Sequence, residues 1–163
     1  MEVIHLTGGI CSGKTYVREQ LNVAGWDVRE DFYVKRGIIV NNKMNWVKFH
    51  SMSQYIEKDL LDSYDKAKAL NETVFIVESS GVGIWVNSIV RKRFFNCTRI
   101  ILKPPSGEVL KERCEKRDLD FVEVKWFNKR CVFSSRAVTC EEAIVKIREI
   151  IKKEKELLDK KGS

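Results

Sequence analysis

Residues Gly8-Gly9-Ile10-Cys11-Ser12-Gly13-Lys14-Thr15 satisfy the spacing G-x-x-x-x-G-K-[ST] at every position. Glycines let the backbone turn tightly enough for its N–H groups to converge on a β-phosphate. Lys14 is placed to reach the β- and γ-phosphates, and the Thr15 hydroxyl to ligate Mg²⁺. A helix beginning near Lys14 adds the positive end of its dipole. The whole loop, Gly8 to Thr15, is therefore the expected site for ATP or another nucleoside triphosphate with Mg²⁺. A chance match in a glycine-rich turn is the bland alternative. The flanks argue against it, because a strand-like run, Val3-Ile4-His5-Leu6, leads in and a helical pattern leads out.

Three further groups carry chemistry by type and position. Arg29-Glu30-Asp31-Phe32-Tyr33 follows a second apolar run, so its carboxylates are expected at the carboxyl edge of a sheet, where ligands collect in open α/β folds. Asp31 is favoured over Glu30, which would point the opposite way on an extended chain; solvated loop charges are the alternative for both. Lys35 and Arg36 follow and suit an acceptor phosphate or a plain exposed loop. Glu78 closes the apolar run Val74-Phe75-Ile76-Val77, a position suited to holding Mg²⁺ directly or through water. Arg113 and Arg117 lie four apart and share a helix face. Lys125, Lys129 and Arg130 continue the basic stretch.

These residues need elements to hold them. Lys14 to about Val23 reads as a helix, and Gly25 breaks it. Trp26-Asp27-Val28-Arg29 reads as a second strand, and residues 44–70 as a long amphipathic helical pattern. The run 74–77 has the unbroken apolar character of a central parallel strand. A helix over 84–95, a strand over Thr98–Leu102, a helix capped by Ser106, and a charged irregular stretch over 118–132 follow. Thr139-Cys140-Glu141-Glu142 is a capping box that opens the last helix, with Ile144, Ile147 and Ile151 as its buried stripe. A weak fifth strand falls near 133–138. Strands alternating with helices predict a three-layer α/β domain spanning 1–163.

The 163 residues, 44% hydrophobic and 33% charged, suit one globular domain. No apolar run nears the ~20 residues of a membrane span, and the chain opens directly on a strand pattern, so the expectation is an intracellular protein with no signal peptide or membrane partner. Five cysteines without a CxxC pair, and two histidines distant from them in sequence, rule out zinc spacing and predict reduced thiols. His5, alternating with apolar neighbours, reads as structural. Cys11 sits at a helix start inside the loop, where a thiol's reactivity is raised. Lys and Arg number 30 against 23 Asp and Glu, a net charge of +7; this favours an anionic partner, nucleotide or nucleic acid, or merely a soluble surface. Trp46, Trp85 and Trp126 are candidates for base stacking, although aromatics are more often core.

With these motifs in place, the sequence resembles the P-loop kinases of the nucleoside and nucleotide kinase group over nearly its whole length. The resemblance implies a five-stranded parallel sheet, a short Arg-rich lid near 118–132, and γ-phosphoryl transfer to a nucleoside, a nucleoside monophosphate or a related hydroxyl. It implies Asp31 as the base, Lys14, Arg113 and Arg117 as charge-offsetting groups, and Thr15 with Glu78 at the metal. Deoxynucleoside kinases carry Glu-Arg-Ser where this chain has Glu78-Ser79-Ser80. Polynucleotide kinases show a similar acid–aromatic pair after strand two, here Asp31-Phe32, so nucleic acid is the alternative acceptor. A non-kinase NTPase or nucleotide sensor is the third reading. The chain is short for a motor ATPase and lacks the N-K-x-D motif of GTPases.

Overall fold

The computed structural model describes residues 1–28, 36–41, 43–80, 84–130 and 136–162. Four parallel strands form the central sheet: β1 (Glu2–Thr7), β2 (Ala24–Trp26), β5 (Val74–Ser79) and β6 (Thr98–Ile101), in the order β2-β5-β1-β6. A small antiparallel pair, β3 (Ile39–Val40) and β4 (Lys43–Met44), stands apart. The helices are α1 (Lys14–Leu21), α2 (Trp46–Ser51), α3 (Ser53–Ala69), α4 (Ile84–Arg93), α5 (Gly107–Lys116), α6 (Phe121–Arg130) and α7 (Cys140–Lys161).

Strand alternation builds the three layers. Ile4, Leu6, Val74 and Ile76 face Val17 of α1 and Ala143, Ile144 and Ile147 of α7. Val3, Phe75 and Val77 face Ile56, Leu60 and Ala67 of α3 and Val86, Ile89 and Val90 of α4. All six residues of β5 are buried, which is why its sequence carries no polar alternation until its end. By the same alternation Glu78 points toward α1 and Ser79 toward the opposite face. There His5 Nε2 lies 2.7 Å from Ser79 Oγ. Burial, helped by Arg99 and Arg91, lowers the His5 pKa to about 4, so this ring is a neutral structural group.

Four expectations need correction. The sheet among the described residues has four strands and not five: of the segment expected as strand five, 133–135 lie outside the described residues, and the remainder contributes one parallel bridge, Val138 to Leu102. Val138 donates to Ile101 O and accepts from Lys103 N, both at 2.8 Å, and pairing stops there because Thr139 already caps α7, accepting from Glu142 N at 3.1 Å. The second strand is shifted, ending at Trp26 instead of running over 26–29. The stretch 118–132 is not irregular: α6 fills most of it, started by Asp120, whose carboxylate accepts from Glu123 N at 3.1 Å. The long 44–70 pattern is two helices separated at Met52.

Among the described residues no helix is long and apolar enough to cross a membrane. Cys11 and Cys114 are buried, Cys97 and Cys140 half-buried, and all four are free thiols.

Candidate active site

The loop from Gly8 to Gly13 leaves the carboxyl end of β1 and enters α1. Gly8 N donates to Ser79 O at 3.2 Å, fastening the loop to β5, and Ser12 N donates to Gly9 O at 3.2 Å, closing the tight turn. Gly13 has a φ of 99°, a left-handed conformation that side chains resist; a Cβ there would also stand 2.7 Å from Cys140 Sγ. Lys14 Nζ folds back over the loop and donates to Gly8 O and Gly9 O, each at 2.8 Å. Ser12 is 2% exposed, and its hydroxyl has no hydrogen-bond partner among the described residues. Loop N–H groups, a free hydroxyl, an ammonium and the start of a helix together make a receptor for a multiply charged anion.

Two carboxylates stand beside it. Thr15 Oγ1 donates to Glu78 Oε1 at 3.1 Å. Arg18 Nε lies 2.7 Å from Glu78 Oε2; this is an ion pair without hydrogen-bond direction, so Oε2 keeps no hydrogen-bond partner. Burial raises the Glu78 pKa, against the opposing charge of Arg18, and the charge of Asp27 raises it further. Asp27 is the second carboxylate. Trp26 pairs with Val77 in parallel register, so the next residue of each strand, Asp27 and Glu78, comes level at the same sheet edge. Burial raises the Asp27 pKa too, opposed by Lys14, Arg18, a backbone hydrogen bond at Val28, and Arg117. Gly25 makes room for this arrangement: a Cβ there would lie 2.6 Å from Arg18 Cδ and 2.6 Å from Ile76 O.

These residues fit Mg²⁺. A hydroxyl, a buried carboxylate and a neighbouring acid supply few, hard oxygen ligands, which suits an ion that keeps water and takes phosphate oxygens. Among the described residues no three His, Cys, Asp or Glu side chains gather, so the set does not suit zinc.

Helices α5 and α6 close over the loop. Arg113 Nη1 donates to Cys11 O at 2.7 Å, and Arg117 Nη1 to Cys11 Sγ at 3.5 Å. Asn128 of α6 grips Ile10 twice, accepting from Ile10 N at 2.8 Å and donating to Ile10 O at 2.9 Å. Apolar contacts among Cys11, Leu110, Cys114 and Val124 seat both helices.

The structure therefore gathers Lys14, Thr15, Glu78, Arg113 and Arg117 around the loop Gly8–Thr15. Asp31, with Glu30 and Lys35, lies outside the described residues. Arg36 stacks over the Tyr55 ring at 4.7 Å, and Arg93 pairs with Glu57 at 2.6 Å. The side chains of Trp46, Trp85 and Arg130 are outside the described set, while Trp126 is 58% exposed on α6 beside Lys125 and Lys129. Sequence reasoning missed Asp27, Arg18 and Asn128. Asp27 was legible only through strand register: placing the end of β2 two or three residues early brings it level with Glu78. Arg18 follows Thr15 by three residues, one helix turn, a spacing that marks a shared face. Asn128 carried no signal.

As a sequence the chain matches no family model and no curated protein. As a structure it is similar to a gluconokinase from Sinorhizobium meliloti 1021, with a TM-score of 0.51 and 14% identity over 99% of this chain and 98% of that one. It is also similar to a shikimate kinase from Aquifex aeolicus vf5, with a TM-score of 0.40 and 23% identity over 98% and 96% of the two chains. Identities this low speak to architecture. The chain shares the α/β fold, with its parallel sheet, of the gluconokinase.

Proposed function

We propose that this chain is an Mg²⁺-dependent phosphotransferase that moves the γ-phosphoryl of ATP, or another nucleoside triphosphate, to the hydroxyl of a small molecule: a nucleoside, a nucleoside monophosphate or a related hydroxyl compound. The observation that carries the reading is the convergence of Lys14, Thr15, Glu78 and Asp27 on one loop at the carboxyl edge of a parallel sheet. The fold shared with a gluconokinase supports it. The whole chain works as one catalytic unit, with α6 and its neighbours as the lid.

Loop N–H groups and Lys14 hold the triphosphate, and Thr15 with Glu78 hold the metal. When bound, Mg²⁺ neutralises charge on the phosphate oxygens. Arg113 and Arg117, which reach the loop at Cys11, offset charge during in-line transfer. Asp27 orients the acceptor hydroxyl and takes its proton; a raised pKa makes it the better base near neutral pH. Asp31 competes for this role on sequence grounds.

Labelled phosphate from ATP, offered to nucleosides, monophosphates, sugar acids and oligonucleotides, tests the reading. Transfer to a small hydroxyl is expected, and Asp27→Asn should lower it at least ~10²-fold with ATP binding kept, the scale of a general base. Loss with Asp31→Asn and none with Asp27→Asn moves the base to position 31. ATP hydrolysis with no acceptor labelled would sink the kinase reading.

One observation favours nucleic acid as acceptor. Trp126, 58% exposed, shares α6 with exposed Lys125 and Lys129, the pairing of stacking surface and cations that tracks a single strand. Labelling of oligonucleotides alone, abolished by charge reversal at Lys125 and Lys129, would select that reading.

A further inference from the structure

Three of the four described cysteines surround the candidate phosphate loop. Cys11 lies within it, Cys114 faces it from α5, and Cys140 Sγ donates to Ser12 O at 3.3 Å. Cys11 and Cys114 form a pair. Both belong to the small apolar cluster with Leu110 and Val124, at 9% and 0% exposure. On α5, Arg113 and Arg117 both reach Cys11, and Cys114 lies on the turn between them, on the same helix face. The two thiols thus pack within a single buried cluster between the loop and α5. The loop backbone aims the first of them: Cys11 has a φ of 61°, a left-handed conformation uncommon for a residue with a Cβ. Neither thiol has a role in the proposed chemistry.

We infer that Cys11 and Cys114 are a redox-modifiable dithiol, closed to a disulfide by hydrogen peroxide, and that closure switches off triphosphate binding. The second half rests on the proposed function; the first does not. Cys11, the more exposed of the two and beside Arg117, reacts first. Its sulfur attacks a peroxide oxygen, the O–O bond breaks, and water leaves, giving the sulfenic acid. The Cys114 sulfur then attacks the Cys11 sulfur. The S–S bond forms, the S–O bond breaks, and the hydroxyl departs as a second water with the Cys114 proton. The thiols together lose two electrons and the peroxide gains them. A thiol reductant reverses the step.

Closure has a geometric consequence. The sulfurs must move from their packed positions in the cluster to the ~2.05 Å of an S–S bond. That draws Cys11 toward α5 and turns its N–H away from the other loop donors. A displacement near 1 Å at a positioning group lowers efficiency by up to ~10²-fold. Bound triphosphate holds the loop in place and is expected to slow closure.

The test treats the reduced full-length protein with hydrogen peroxide, with and without ATP and Mg²⁺, and then blocks free thiols and maps peptides. The expected result is a Cys11–Cys114 cross-link, slower to form with ATP present and reversed by dithiothreitol. A fluorescent ATP analogue should bind the cross-linked protein at least ~10-fold more weakly. In Cys114→Ser the Cys11 sulfenic acid should persist and be captured by dimedone, whereas Cys140→Ser should cross-link as wild type does. A wild-type protein in which Cys114 stays alkylatable while Cys11 oxidises overturns the inference. So does a cross-link made to Cys131 or Cys140, or full analogue binding after closure. If the cross-link forms but the reduced protein never binds the analogue, the dithiol stands and the kinase reading falls.

Discussion

Glu78 is 1% exposed yet retains a carboxylate oxygen with no hydrogen-bond partner. Its charge is offset by the Thr15 hydroxyl and the Arg18 guanidinium, and in the proposed site a hydrated cation would share that carboxylate. Glu78→Gln should therefore raise the Mg²⁺ concentration needed for half-maximal transfer by ~10–100-fold, read from a metal titration of activity; an unchanged titration would remove Glu78 from the metal site. Lys14 presents the complementary case. Its ammonium sits on two loop carbonyls, so Lys14→Ala removes little packing. Turnover should fall at least ~10²-fold while the melting temperature stays near wild type. Wild-type turnover in that variant would defeat the loop assignment.

Among the elements, α6 carries one side chain, Asn128, that imitates a backbone partner for the loop. Asn128→Ala deletes two hydrogen bonds to Ile10, each worth about 0.5–1.5 kcal/mol net. The helix should open more often, seen as faster amide exchange confined to residues 121–130, with the protection of β1 and β5 unchanged. Uniform loss across the protein would mean that α6 is part of the global core. The cap of α7 is a separate case: Thr139→Ala should lower stability by about 1 kcal/mol, or roughly 2–4 °C in Tm for a chain of this size.

Over the whole molecule, His5 couples stability to pH. Its pKa falls from 6.5 to about 4 in the fold, so between these values the unfolded chain binds the proton more readily. Stability rises with pH through that window and is lost as pH falls, by about 3 kcal/mol in all. Asp27 and Glu78 act in the opposite sense. Their raised values mean that the folded state holds protons better, so they favour folding as pH drops below those values. Chemical denaturation of wild type and His5→Gln between pH 7 and 4 separates the terms: the variant should lose the slope, and an unchanged slope would exclude His5 as its source.

Local pattern alone was enough for several features. The phosphate loop was readable because its glycines, lysine and threonine must be contiguous to do their work. The buried face of α7 and the central run 74–77 were readable because helix and strand periods repeat along the chain. The caps at Ser106 and Thr139 were readable because a side chain and the N–H it accepts lie three residues apart. What tertiary structure decided depends on separations that no local pattern carries. Asp27 enters the site because β2 ends early and pairs with β5, 51 residues further on in the register Trp26 to Val77. Asn128 reaches Ile10 across 118 positions. Beyond Val138 the pairing with Leu102 goes no further because the α7 cap begins at the next residue. The two thiols became a pair because α5 lies over the loop. Register, helix docking and competition between neighbouring elements are properties of the folded chain, since each is fixed by packing between segments far apart in sequence.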